Sequence, residues 1–197
     1  MASRIEAPRL SYEQIRASAN DFLARYNPSG VIPVPIEPIV EFALKINIVP
    51  IPGLQRTLET EGFISSDFRT ISVDQFVLEE RERRYRFTLA HEIGHFWLHK
   101  EVFSGLEIRT VNDWKKYQSD LDTEAYGWLE WQAYSFGGLV LAPKEKLSAR
   151  RAIAEEKIAK EGLDPKTEAA QFYVCKYLAD DFNVSEAVID KRTQRDR

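Results

Sequence analysis

Cysteine is almost missing from this 197-residue chain: Cys175 stands alone. One thiol excludes an internal disulfide framework and a thiolate-built structural metal site, so any metal here must rest on imidazole and carboxylate. Histidine is nearly as scarce, with three residues in all. No apolar run approaches the length of a membrane span, and Met1 to Leu10 lacks the apolar centre of a secretory signal, so the expectation is a cytoplasmic protein without membrane contact. An excess of positive charge is also lacking: 27 Lys and Arg face 31 Asp and Glu, for a formal net charge of -4. That balance argues against a generic nucleic-acid coat or a basic membrane-surface protein. At 44% hydrophobic residues the chain is long enough and apolar enough for one globular domain with a core and appendages.

The three histidines fall in one stretch at four-residue spacing: His91, His95 and His99. Phe87 to His99 holds good helix formers and no proline, which predicts a helix. Residues four apart on a helix share a face, about 6 Å from each other. His91 and His95 can therefore aim imidazole nitrogens at one metal ion. Glu92, turned by about 100° from His91, stands beside that ion, where a carboxylate can take a proton from an activated water. His-Glu-x-x-His arises by chance on the order of once in several hundred chains of this length. The bland alternative is two helical histidines that only pack. His99 could pair with His95, but that leaves Glu92 without a task. The preferred reading of His99 is a helix C-terminal imidazole meeting free carbonyls.

A catalytic zinc site takes three protein ligands and keeps a fourth position for water. A third histidine six residues after His95 is excluded, because Glu101 stands there and Leu98 occupies the position of the required glycine. A carboxylate from a second helix remains, and Trp128 to Pro143 supplies one. At helical spacing Glu130 shares a face with Ala133, Tyr134, Gly137 and Leu141, the side built for burial, where a metal ion would compensate its charge. Ala133, Gly137 and Gly138 would let this helix approach Gly94 closely, whereas Glu124 falls on another face. The competing reading of Glu130 is a salt bridge to Arg84 or Arg86.

Three blocks carry a family likeness: Gly62-Phe63-Ile64 followed by Thr70-Ile71-Ser72-Val73, then Arg84 through His95, then Glu130 through Phe136 running to Pro143. With them the chain resembles the ImmA/IrrE family of metallopeptidases. The first glutamate of the third block is the family's third zinc ligand, and Glu130 holds that position here. The departures are Tyr134 for Asn, Gly137 for Ala, and Val140-Leu141-Ala142 for Leu-Leu-Met. They spare the ligands and alter the pocket. Family members with known roles cut a helix-turn-helix repressor in the cytoplasm and so release gene expression in stress or mobile-element control. Others are linked to toxin and antitoxin pairs. The resemblance implies a protein substrate of the repressor class.

The expected fold is α+β with a zincin-like core: a small antiparallel sheet packed on the His-Glu-x-x-His helix and a second ligand-bearing helix, with extra N- and C-terminal helices. Residues 1–30 form an N-terminal helical segment opened by a Ser11/Gln14 capping box, 31–145 the metallopeptidase core, and 146–197 a C-terminal helical segment with a helix-turn-helix-like end. Within the core, Ile39 to Leu44 reads as a short helix and Asn47 to Ile51 as a strand. Phe63 to Ser65 and Thr70 to Val73 read as a hairpin, with Thr70 to Val73 as the edge that could add a peptide strand. The segment Glu101 to Leu129 reads as an insertion over the cleft. Lys144 to Lys160 is a helix, Asp164-Pro165 starts another, and Ser185 caps the last.

The chemistry implied is zinc on His91, His95 and Glu130 acidifying a water whose proton Glu92 accepts and passes to the leaving amine. Tyr134, Tyr126 or an arginine near the motif would stabilise the oxyanion. Two other functions compete. One is a non-proteolytic zinc-containing toxin or interaction module. The other is a DNA-binding regulator acting through the C-terminal helices, where Asp180, Asp181, Glu186 and Asp190 oppose Lys191, Arg192 and Arg195.

Overall fold

The computed structural model describes residues 7–103, 105–120 and 123–196. Residues 1–6, within the stretch Met1 to Leu10, residues 104, 121 and 122, within the segment 101–129, and residue 197 lie outside the described residues.

Helix α1 (Tyr12–Tyr26) starts at the capping box: Ser11 Oγ accepts from the Gln14 amide, and the Gln14 side chain accepts from the Ser11 N–H. These bonds satisfy two backbone donors that a helix start leaves open. Its stripe of Ile15, Ala19 and Phe22 is buried against α8 (Thr123–Leu141), where the Phe22 ring meets Phe136 edge-on. The helix expected over Ile39–Leu44 is split into α2 (Ile36–Pro38) and a π-helical turn (Ile39–Ala43). Pro38 has no N–H to extend a regular ladder, and the Leu44 N–H reaches five residues back to the Ile39 carbonyl.

Strands β2 (Gly62–Ile64) and β3 (Thr70–Asp74) form the expected hairpin, with Phe63 opposite Ser72. Strand β1 (Asn47–Ile51) runs parallel to β3, Ile48 opposite Ile71, so the sheet is mixed, in the order β1-β3-β2. The all-antiparallel expectation is corrected by the connection. Between β1 and β3 the chain makes α3 (Leu54–Leu58) and β2, two reversals that return β3 in the direction of β1. Thr70–Val73 therefore lies in the middle of the sheet, and its backbone is paired on both sides. Just beyond β2 the chain is also tied to a distant segment. The Ser66 N–H donates to the Ile108 carbonyl at 2.9 Å, and the Ile108 N–H donates to Ser66 Oγ at 3.0 Å. Trp114, on α7 (Val111–Asp120), stacks on Phe63 with ring centroids 5.5 Å apart. The segment expected to cover the cleft thus buries Ile108, Trp114 and Tyr117 in the core.

Asp74 caps α4 (Gln75–Glu80) through the Phe76 and Val77 amides, and α5 (Glu82–Leu98) follows, leading through His99 into the single turn α6 (Lys100–Phe103). At the C-terminal side lie α9 (Lys144–Lys160), α10 (Glu168–Phe182) and α11 (Glu186–Arg195). α10 begins after the Asp164-Pro165 signal because Asp164 holds the Lys166 N–H in a turn, and Thr167 caps the helix by accepting from the Ala170 amide. Ser185 stands at the start of α11, but its hydroxyl makes no capping bond. No helix among the described residues is long and apolar enough to cross a membrane.

Helices α5 and α8 form the central pair, and glycine decides how close they come. A Cβ on Gly94 would lie 2.8 Å from Ala133 Cα and 2.9 Å from its carbonyl oxygen. Gly137 meets the backbone of Ala90 and His91, whereas Gly138 faces Arg192 of α11 rather than Gly94. Because the obstacle at Gly94 is backbone, Gly94→Ala must push the helices apart. It is expected to cost about 1–3 kcal/mol in urea unfolding and to weaken metal binding by the pair. Unchanged stability and metal affinity would show that the approach tolerates a methyl group.

Candidate metal centre

One turn separates His91 from His95 on α5, and Glu130 of α8 faces both. The two Nε2 atoms are 3.1 Å apart. Glu130 Oε2 lies 3.2 Å from His91 Nε2, and Oε1 lies 3.4 Å from His95 Nε2. An ion bound tetrahedrally at about 2.1 Å holds its ligand atoms about 3.4 Å apart. The two imidazole nitrogens are thus spaced like one edge of such a polyhedron, Glu130 offers one oxygen to each of them at a similar distance, and together the three residues form a group able to hold a metal ion. Neither arginine considered for Glu130 reaches it. Arg84 pairs with Glu61, and Arg86 donates to the carbonyls of Asn183 and Val34. Glu124 pairs with Arg9.

The cluster is electrostatically tense. Burial alone would lower the His91 pKa, but the hydrogen bond and charge of Glu130, with the charge of Glu92, raise it. Burial would raise Glu130, yet its hydrogen bonds to His91 and His95 and their charges hold it well below the usual carboxylate range. Glu92 is 4% exposed, and its Oε2 has no hydrogen-bond partner among the described residues. Burial pushes its pKa up, aided by Glu130 and opposed by the two histidines and a hydrogen bond from the Ile64 backbone. A divalent cation among the donors would relieve the opposed lone pairs and the carboxylate charge together.

His99 does not meet helix-end carbonyls as expected; it is 1% exposed and lies behind His95. His95 Nδ1 and His99 Nδ1 are 3.0 Å apart, and His99 Nε2 is 3.1 Å from Gln132 Oε1. Gln132, fully buried, donates its amide N–H to the Pro8 carbonyl. A carbonyl can only accept, so the Pro8 contact turns Gln132 Oε1 toward His99. His99 must then carry its proton on Nε2 and accept at Nδ1, which puts a proton on His95 Nδ1 and leaves its Nε2, the nitrogen facing Glu130, as the one available to a metal ion. Burial and the neighbouring His95 charge hold the His99 pKa down to about 3, so its ring stays neutral for this task. Sequence reasoning missed Gln132 altogether. Its only sequence signal was a polar side chain on a helix that is otherwise apolar and small around it.

A cavity of about 450 Å³ opens beside His91 and Glu130 and is lined in part by Phe87, Trp131 and Tyr134. Of the tyrosines considered for oxyanion stabilisation, Tyr134 is in its wall and Tyr126 is not.

Gln132→Leu removes the acceptor that orients His99. It is expected to lower zinc affinity about 10–100-fold in a chelator competition. In the zinc-loaded chain, nitrogen-15 spectra should show the His95 Nδ1 proton losing its hydrogen bond to His99. A zinc affinity within about twofold of the parent would break the proposed link between Gln132 and His95.

A solved structure of a Mycobacterium tuberculosis transcriptional regulator is similar, with a TM-score of 0.54 and 16% identity. The alignment covers 90% of this chain and 54% of that one, so this chain spans about half its length. At that identity the likeness concerns the fold. No curated protein sequence matches. The peptidase M78 family model, described as the IrrE N-terminal-like domain, matches residues 76–194, from α4 through α5 and α8 to the end of α11. The chain belongs to that family, the one that its histidine and glutamate blocks resemble.

Proposed function

We propose that this protein is a cytoplasmic, zinc-dependent endopeptidase that hydrolyses one specific protein, a helix-turn-helix transcriptional repressor. The observation that carries the reaction type is the placement of His91, His95 and Glu130 within reach of one ion, with Glu92 next in sequence to His91, inside a matched metallopeptidase family. The substrate class is supported by the family resemblance.

In this reading His91, His95 and Glu130 hold the ion, which when bound supplies the Lewis acid that acidifies water and polarises a peptide carbonyl. Glu92 takes a proton from the attacking water and delivers it to the leaving amine nitrogen. Its buried setting and unbonded Oε2 make it more basic than a surface glutamate. His99 and Gln132 keep His95 in the tautomer a ligand needs. Tyr134, in the cavity wall with His91 and Glu130, is the phenol placed to hydrogen-bond the carbonyl oxygen as charge grows on it.

Zinc-loaded chain and its Glu92→Gln variant, each incubated with purified helix-turn-helix repressors from the same source, test the assignment by gel and metal analysis. The variant should keep stoichiometric zinc while cleavage falls by about 10²–10⁴-fold. Undiminished cleavage by the variant excludes Glu92 as the base.

A stability test follows from the same burial. The folded pKa of Glu92 lies above its unfolded value, so its contribution is fully present below the unfolded pKa and is lost as pH rises through the folded one. Metal-free Glu92→Gln should therefore melt a few degrees above the metal-free parent at about pH 8, with the gain vanishing toward about pH 4. An offset independent of pH would contradict a buried ionising Glu92.

A further inference from the structure

The cavity beside the candidate metal ligands has a wall that the peptidase reading does not use. Helix α11 supplies it through Val188, Lys191, Arg192 and Arg195. The helix sorts its charges. Asp190 turns toward α10, where its Oδ1 meets Cys175 Sγ at 3.3 Å, while Lys191 and Arg195, one turn apart, face the cavity.

The cations on that face differ in how they are held. Arg192 is buried, binds the Tyr12 hydroxyl and the Ala142 carbonyl, and pairs with Asp196. Asp196 is shared with Arg16 at 2.9 Å, so one carboxylate already serves two guanidinium groups. Lys191 and Arg195 make no ion pair among the described residues. Aromatic faces hold them instead. Lys191 Nζ sits 4.2 Å from the Tyr134 ring centre, and the Arg195 guanidinium lies 5.1 Å from Tyr12 and 5.2 Å from Trp131, donating to Ser135 Oγ at 3.3 Å. A ring orients a cation without consuming its N–H donors or its charge. The result, among the described residues, is two cations without a carboxylate partner in a chain of net charge -4, on the wall of a cavity that also includes His91 and Glu130.

We propose that this cavity is a carboxylate-binding subsite of the peptidase. It seats a carboxylate next to the scissile bond, either an Asp or Glu side chain of the substrate or the C-terminal carboxylate that cleavage creates on the product. Lys191 and Arg195 bind the anion, and Phe87, Trp131 and Val188 take the apolar part of the same residue. An anion there gains charge-assisted hydrogen bonds from donors that lack a carboxylate partner. A basic side chain would meet two like charges and be rejected. The proposal rests on the peptidase reading for its location but is tested by binding, so each can fail without the other.

The probes are three acetylated tripeptides added to the zinc-loaded Glu92→Gln chain, which removes turnover: Ala-Glu-Ala amide, Ala-Gln-Ala amide and Ala-Ala-Ala with a free C-terminal acid. Intrinsic tryptophan fluorescence, with Trp131 in the cavity wall, and calorimetry report occupancy. At least one acidic probe should bind about tenfold or more tightly than the glutamine amide, and which acid does so identifies the source of the carboxylate. The preference should shrink with added salt. Lys191→Met combined with Arg195→Met should bring the acidic probe to the level of the amide, with zinc affinity unchanged. Lys191→Arg should retain the preference. Equal binding of acids and amide, or an acid preference that survives the double variant, overturns the subsite. Absence of repressor cleavage by the zinc-loaded parent, with the acid preference intact, would overturn the peptidase reading alone.

Discussion

Backbone contact between two helices governs the rest of the molecule. Where α5 crosses α8, Gly94 lies against Ala133 with no room for a methyl group, and Gly137 lies against the backbone of Ala90 and His91. That proximity brings Glu130 to 3.2 and 3.4 Å from two imidazole nitrogens. With larger side chains in the seam, the helices would separate by more than a ligand bond tolerates, and the three donors would become surface groups. The surrounding core, Phe22 and Phe136 on one side and Phe63 and Trp114 on the other, clamps the pair from both directions.

Burial sets the chemistry of the site as much as distance does. Glu92 is enclosed with an unbonded oxygen, Glu130 is ionised by its imidazole neighbours, and His99 stays neutral behind His95. Each condition comes from a low-dielectric setting with a small number of exact partners, and each would disappear on a solvated surface. The hydrogen-bond chain running from Pro8 through Gln132 and His99 to His95 extends this control to proton positions. It also ties the stretch before α1 to the centre of the site, 124 residues away in sequence from Gln132.

The C-terminal helices give the cavity its remaining wall. Arg192 is buried against Ala142 and Tyr12, and Lys191 and Arg195 lean on Tyr134, Tyr12 and Trp131. The basic residues of α11 therefore line the space next to the candidate metal centre. The family match, which runs to residue 194, takes in this helix together with the two that carry the donors.

Local signals carried far. The Ser11 and Gln14 pair placed the start of α1, and the spacing of His91, Glu92 and His95 placed two donors on one helical face. The apolar surroundings of Glu130 singled it out from Glu124. These are consequences of helix geometry and burial periodicity, which depend only on neighbours in sequence. Strand order was not of that kind. Whether β3 pairs with one strand or two depends on how the chain returns from β1, and no residue within Thr70–Asp74 encodes it. The role of His99 and Gln132 was equally hidden, because it arises only where two helices and an extended segment meet. By itself, the sequence determined the candidate metal donors and the helices that bear them. The tertiary structure alone decided the separation of the donors, the protons they keep and the charge of the cavity wall, since those follow from contacts between residues distant along the chain.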